Sequence, residues 1–145
     1  FLSPSSGSSS FLLSMACQLF NASLWERLPP LAVAAPAEFD GPGDQWSPES
    51  LLCAAVVNCF ILSFKAIAQA SRFEWQKLDC EVTGVLDKVE RSMQFTRFDQ
   101  RVCLTIADEG QRDKALKLRE KAEQHCLVSN SLNADVHLDL DVRVA

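Results

Sequence analysis

The sequence has few positive charges, and no stretch of it concentrates charge of one sign. Its 14 Lys and Arg residues are outnumbered by 19 Asp and Glu residues, which gives a formal net charge of -5. Nucleic-acid binders depend on Lys and Arg to neutralise phosphates, so this balance argues against a nucleic-acid partner. Attraction to a membrane surface is not expected either, because no run of basic residues is present.

A long hydrophobic run is also lacking. The longest nearly unbroken apolar stretch covers residues 51–64, whereas about 20 residues are needed to cross a bilayer. The serine-rich start of the chain has neither a basic segment nor an initial Met, which gives a secretory signal little support. We expect residues 1–10 to be a disordered leader or a cloning remnant, and residues 11–145 to form one domain.

Cysteine is present, but no two cysteines form a Cys-x-x-Cys pair. The six cysteines are Cys17, Cys53, Cys59, Cys80, Cys103 and Cys126. Their spacing to each other and to the two His residues does not match a structural zinc site, so no metal or other cofactor is expected. Four of them lie in apolar stretches, where an unpaired cysteine acts as a small hydrophobic residue. We therefore expect two working thiols in a reducing, cytoplasmic environment.

A buried helix is predicted from Ser47 to about residue 70. Ser47 can cap the first free amides, Pro48 fits the first helical position, and Glu49 meets the positive end of the helix dipole. The helix is apolar on nearly every side, so most of its faces should be buried. One small sheet cannot cover so much apolar surface, and we expect a second copy of the chain to cover the rest in a homodimer.

Strand patterns flank this helix on both sides. Before it, residues 11–20 are apolar and short enough for a strand, and residues 24–35 can form only an edge or interrupted strand because two prolines stand in their middle. After it, alternating patterns predict strands over residues 75–87, 92–106 and 135–144, and an amphipathic helix over residues 111–125. This order predicts an α+β fold with antiparallel strands, a long buried central helix and a second amphipathic helix.

Two separated segments resemble the signature regions of a known family. Residues 38–60 contain Ser47-Pro48-Glu49 and then a Cys-Phe pair that begins at Cys59, ten residues after the glutamate. Residues 121–132 contain a Cys-Leu-Val-Ser-Asn motif that begins at Cys126. In this order the two motifs resemble the osmotically inducible protein C / organic hydroperoxide resistance (OsmC/Ohr) family, and the likeness runs from about residue 31 to the C terminus.

The resemblance implies an intertwined α+β homodimer that acts as an antioxidant peroxidase in the oxidative stress response. It implies that Cys59 is the peroxidatic residue, that Cys126 is the resolving residue and that Glu49 is the active-site glutamate. The implied regenerating partner is a dithiol, carried by a lipoyl-bearing protein. A thiolate can cleave a peroxide O–O bond to give a sulfenic acid, which a second thiol converts to a disulfide. The apolar neighbours of Cys59 favour alkyl or fatty-acyl hydroperoxides as substrates.

The sequence departs from the family pattern at the arginine that accompanies the glutamate. In one branch of the family that position corresponds to Phe39 here; in another branch Arg27 is the candidate, and we expect Arg27 to reach Cys59. The missing arginine favours an alternative, a non-catalytic dimeric relative that binds an apolar small molecule. Glu49 could also serve only as a partner of the helix dipole. A metal site built from Cys59, His125 and Cys126 ranks last.

Overall fold

A four-stranded sheet and one long helix form most of the structure, a computed structural model that describes residues 9–16, 28, 29 and 31–145. The strands are β1 (Ser9–Ala16), β2 (Lys77–Val89), β3 (Ser92–Ile106) and β4 (Asp135–Val144), and they lie side by side in that order. The helices are α1 (Pro48–Ala70), α2 (Arg112–Gln124) and the one-turn α3 (Leu127–Asn130). Arg27 and Cys17 lie outside the described residues.

The α1 helix begins where the sequence predicts, because its first turn is capped. The Ser47 hydroxyl accepts a hydrogen bond from the Ser50 amide at 3.1 Å, and the Ser47 amide donates to the Ser50 hydroxyl at 2.8 Å. This reciprocal capping box satisfies two amides that would otherwise lack partners, and Pro48 occupies the first helical position. The helix runs without interruption to Ala70, as expected.

The α1 helix packs one side against the sheet and against α2. Its fully buried side chains alternate at helical spacing and include Cys53, Val56, Val57, Phe60, Ile61 and Phe64. They join sheet residues of the core such as Phe98, Val102, Leu104 and Ile106. By length and composition alone α1 could cross a membrane, since an 18-residue window has a mean hydropathy of 2.1, although 44% of that window is buried within the chain.

The predicted α+β fold is confirmed, with strands in or next to the segments predicted over residues 11–20, 75–87, 92–106 and 135–144. β1–β2 and β2–β3 are antiparallel, whereas β3 and β4 are parallel, with Arg97 opposite Asp135 and Ile106 opposite Val144. The sheet is therefore antiparallel, as expected, except at the β3–β4 pair. The physical reason is the connection: α2 and α3 lie between β3 and β4, and a crossover of that length returns the chain to the same edge in the same direction.

The N-terminal part of the fold differs slightly from the predicted boundaries. β1 begins at Ser9, two residues before the domain boundary expected at residue 11, and it ends at Ala16. Within the described part of the expected edge strand 24–35, pairing is limited to an isolated bridge between Val33 and Trp46. The prolines of this segment account for its short pairing, because proline cannot donate a hydrogen bond to a sheet.

Helix α1 approaches β2 most closely at Gly84. A Cβ atom at this position would lie 2.8 Å from the Cys53 sulfur and 2.8 Å from a ring carbon of Phe95. Real Cβ atoms do not come so close to other heavy atoms, so the helix can lie this near to the sheet only because residue 84 has no side chain. This contact sets the height of α1 above the sheet.

We predict that Gly84→Ala lowers the free energy of unfolding by about 1–3 kcal/mol, the usual cost of overpacking a core. Urea denaturation of the variant and the parent protein would measure the change. Gly110→Ala is the matched control, because there the nearest atoms to the added Cβ belong to the Asp108 side chain and lie at 3.3 Å or more. Equal stability of the Gly84→Ala variant and the parent would contradict the close approach.

Candidate functional site

The structure brings Cys59 and Cys126 together, although they are far apart in the sequence. Cys59 is a half-buried residue in the middle of α1, and Cys126 is 2% exposed at the junction between α2 and α3. The Cys59 thiol lies close enough to the Cys126 thiol to raise the pKa of Cys126. Two neighbouring thiols can be joined by oxidation where their geometry allows an S–S bond.

The turn that carries Cys126 holds its sulfur through Ser129. The sulfur lies 3.1 Å from the Ser129 hydroxyl, and the backbone amide of Ser129 also bonds to it. The one-turn helix α3 creates this arrangement, since the Asn130 amide donates to the Cys126 carbonyl at 3.0 Å. Sequence reasoning assigned no role to Ser129, although its position in the Cys-Leu-Val-Ser-Asn motif could have suggested one.

The electrostatic environment of Cys126 opposes its ionisation. Burial raises the pKa of the Cys126 thiol, and the neighbouring Cys59 thiol raises this pKa further. The hydroxyl and amide of Ser129 counteract both effects by lowering the pKa of Cys126. Cys126 is therefore protonated at neutral pH, and a thiolate formed there would be stabilised chiefly by Ser129.

Cys53 lies one and a half turns before Cys59 in α1, yet it has the properties of a core residue. It is fully buried, and its pKa is raised to about 11. Burial is the main cause of the higher pKa. A hydrogen bond with the Gly84 backbone lowers this pKa, and the charge of Glu49 raises it. A thiol with such a high pKa is a poor nucleophile at neutral pH. Its expected role as a core residue is confirmed.

Glu49 is not joined to Cys59 within one chain. Ten residues of uninterrupted helix separate the two, a rise of about 15 Å, and Glu49 instead lies one turn before Cys53. Its Oε2 atom is buried and has no hydrogen-bond partner among the described residues. A buried carboxylate oxygen without a donor is costly, so this position suits a cationic or hydrogen-bond-donating group.

A pocket of about 330 Å³ opens beside Glu49. Its other walls are apolar side chains and backbone from the segment before α1, namely Val33, Ala34, Ala35, Pro36, Phe39 and Pro48. Phe39, for which the resemblance implied the family's arginine position, packs against the hydrophobic core and contributes no charge. A cation for Glu49 must therefore come from another part of the chain or from another molecule.

No metal-binding arrangement is found in the part of the chain that the structure describes. These residues contain no group of three or more His, Cys, Asp or Glu side chains that could hold a metal ion. His125 is exposed at the end of α2, where its backbone amide donates to the Lys121 carbonyl. Cys80 is buried in β2, and Cys103 is half-buried in β3. Both strand cysteines therefore occupy structural positions.

Comparison with known proteins gives consistent matches. A family model described as OsmC-like protein matches residues 41–141. The uncharacterized protein YmaD of Bacillus subtilis (strain 168) is 29% identical over 116 residues, which cover 78% of this chain and 77% of YmaD. The residues matched by the family model include both Cys59 and Cys126.

Solved structures share the fold. An organic hydroperoxide resistance protein OsmC from Legionella pneumophila superposes with a TM-score of 0.66 at 21% identity, over 92% of this chain and 97% of that one. The organic hydroperoxide resistance protein OhrB of Bacillus subtilis gives a TM-score of 0.57 at 26% identity, over 67% of this chain and 71% of that one. The first of these likenesses extends over nearly the whole chain.

We predict that mild oxidation joins Cys59 to Cys126 within one chain, because the fold brings the two thiols close enough to influence each other. Peptide mapping by mass spectrometry after non-reducing digestion would identify the bond. A Cys53→Ala variant is the control and should give the same bond. A dominant link between Cys53 and Cys59 would contradict the prediction, since six helical residues separate them by about 9 Å of rise.

Proposed function

Since the chain belongs to the OsmC-like protein family, we propose that it is a thiol-dependent peroxidase that reduces organic hydroperoxides. The observation that carries the proposal is the proximity of the Cys59 and Cys126 thiols. Cys59 is the proposed reactive thiol, because it is the more exposed of the two, and Cys126 is the proposed resolving thiol, because it is buried.

The proposed reaction has two steps. The Cys59 thiolate attacks one peroxide oxygen, the O–O bond breaks, and the alkoxide leaves as an alcohol after it takes up a proton, so that Cys59 becomes a sulfenic acid. The Cys126 sulfur then attacks the Cys59 sulfur, the S–O bond breaks, and hydroxide leaves as water with the proton lost from Cys126. Cys59 and Cys126 end as a disulfide, and the hydroperoxide has been reduced to an alcohol.

The surroundings of Cys59 support an apolar substrate. Leu62, on the same side of α1 and less than one turn away, is 48% exposed, and Asn58 turns its amide back to donate to the Ala54 carbonyl at 2.9 Å. The approach to the thiol is therefore mainly hydrocarbon. Alkyl and fatty-acyl hydroperoxides fit such a surface better than hydrogen peroxide, since burial of their chains is favourable.

A homodimer would complete the site. More than half of the most apolar window of α1 is not buried within one chain, and an apolar face of that extent is typical of a subunit interface. We propose that a second copy of the chain covers it and places its Glu49 near Cys59. Arg27, outside the described residues, is the candidate cation, because a guanidinium can bond a carboxylate and also lie beside a thiolate.

Regeneration requires an external dithiol, for which a lipoyl-bearing protein is the proposed source. Two thiols reduce the disulfide and are themselves oxidised to a disulfide. We propose a cytoplasmic location, where such a dithiol would be kept reduced.

A second candidate function is a non-catalytic dimer that binds an apolar small molecule. The pocket of about 330 Å³ beside Glu49 favours it, since that pocket is apolar apart from one carboxylate. A thiol count before and after one equivalent of an alkyl hydroperoxide separates the two functions. Loss of two thiols per chain supports the peroxidase, and an unchanged count supports the binding protein.

We predict that Cys59→Ser abolishes peroxide turnover, whereas Cys126→Ser consumes one equivalent of hydroperoxide and then stops. Without a resolving thiol, the sulfenic acid cannot become the disulfide that the reductant attacks. Peroxide consumption per chain in the presence of excess dithiol would be measured for both variants. Continued turnover by Cys126→Ser would mean that an outside thiol resolves the sulfenic acid.

We predict that Ser129→Ala slows disulfide formation at neutral pH by about three- to tenfold, since a rise of one unit in the pKa of Cys126 reduces its thiolate tenfold. The rate rises with pH as Cys126 ionises, so the rate–pH profile of the variant should move to higher pH. Quenched-flow mass analysis would follow both steps, and the first should be unchanged. The matched control is Ser131→Ala, because that hydroxyl donates to the Leu127 carbonyl instead. An unshifted profile would exclude this role of Ser129.

A further inference from the structure

A second pocket reaches the buried Cys126 thiol. Its volume is about 220 Å³, and it lies between the end of α2, the α3 turn and the start of β4. The side chains that matter to its chemistry are Gln100, Glu123, Cys126, Ser129 and Asp135. Phe60 also lines this pocket, whereas the neighbouring Cys59 does not. We refer to it as the rear pocket.

The rear pocket contains a buried hydrogen-bond acceptor that the protein leaves unused. Gln100 is 3% exposed, and its Oε1 atom has no hydrogen-bond partner among the described residues. A buried amide oxygen without a donor costs free energy, and such groups are normally satisfied by protein or by a bound molecule. Gln100 also lines the rear pocket, so a ligand that donates a hydrogen bond would satisfy this acceptor once the Gln100 side chain turns toward it.

We propose that the rear pocket is the binding site of the thiol reductant, whose sulfur attacks Cys126 and not Cys59. The proposal rests on the peroxidase function, because it concerns the disulfide that this function produces. Thiol–disulfide exchange proceeds by attack along the S–S axis, from the side opposite the sulfur that leaves. For attack on Cys126 with Cys59 as the leaving group, the required side is the one away from Cys59, and we assign the rear pocket to that side because Cys126 lines it and Cys59 does not.

The exchange is balanced in two steps. The reductant thiolate forms a bond to the Cys126 sulfur, the bond between Cys126 and Cys59 breaks, and its electron pair stays on Cys59 as a thiolate. A second reductant thiol then attacks the reductant sulfur of the mixed disulfide, which releases Cys126 and an oxidised reductant. Cys59 is thus returned to its reactive form in the first step, before Cys126 is free.

The charges around the rear pocket define the kind of thiol that it would take. Two carboxylates line it, Glu123 and Asp135, and Gln100 adds its unused acceptor. The single cation that faces Glu123 is Arg119, which forms an ion pair with it at 3.0 Å. Burial raises the pKa of Glu123 and Arg119 lowers it. A thiol that carries an ammonium or amide N–H matches this lining, whereas a thiol that carries a carboxylate meets repulsion.

The first test locates the attack. The disulfide is prepared with diamide, so that no peroxide chemistry is needed, then mixed with cysteamine and quenched with an excess of a maleimide. Mass spectrometry should find cysteamine on Cys126 and maleimide on Cys59. The reverse distribution would overturn the proposal and leave the peroxidase intact. Failure of diamide to form the Cys59–Cys126 bond would overturn both.

The second test measures selectivity with three thiols of similar size: cysteamine, 2-mercaptoethanol and 3-mercaptopropionate. We expect cysteamine to reduce the disulfide at least about fivefold faster than 3-mercaptopropionate, after correction for their rates with a small disulfide. Glu123→Gln should reduce this ratio severalfold. Glu120→Gln, an exposed neighbour on α2 that does not line the pocket, should preserve it. Equal ratios in the two variants would mean that net charge alone sets the preference, and would overturn the proposed site.

Discussion

The packing of α1 on the sheet determines the relation between the two thiols. Cys59 is held in position because the same helix places Cys53 and Phe60 in the core, within one and a half turns on either side of it. Cys126 is held from the other direction, since α2 packs on α1 and ends at the turn that carries it. A rotation of α1 that exposed its core face would therefore separate the thiols as well as expose the core.

The structure gives chemically similar cysteines different roles through their environments alone. Cys53 is fully buried, near a carboxylate, and its pKa of about 11 makes it unreactive. Cys126 is also buried, but Ser129 supplies two hydrogen bonds that make its ionisation less costly. Cys59 is the thiol of α1 that lies at the surface of the single chain. The proposed division between core thiol, resolving thiol and reactive thiol follows from burial and hydrogen bonding, not from any property of cysteine itself.

Most of the fold could be predicted from the sequence because its signals are local. The Ser47-Pro48 start of α1, the alternating strands and the polar–apolar stripe of α2 each arise within about 20 residues. The parallel pairing of β4 could not, since strand direction depends on how a long crossover packs. The proximity of Cys59 and Cys126 came from the resemblance to a family. The unpaired Glu49 oxygen, the role of Ser129 and the buried Gln100 acceptor depend on three-dimensional packing that periodicity does not encode.

The close approach at Gly84 has a consequence for how this sequence can change. Residues 53 and 84 occupy one shared volume between helix and sheet, although they are far apart in the chain, and the Phe95 ring borders the same space. Glycine has no side chain to lose, so a residue larger than cysteine at position 53 cannot be compensated at position 84, whereas a side chain added at position 84 needs a smaller residue at position 53. Position 53 can therefore take alanine or serine but not a bulkier residue. Under the proposed reaction that exchange leaves the chemistry intact, whereas the sulfur at position 59 has no such substitute.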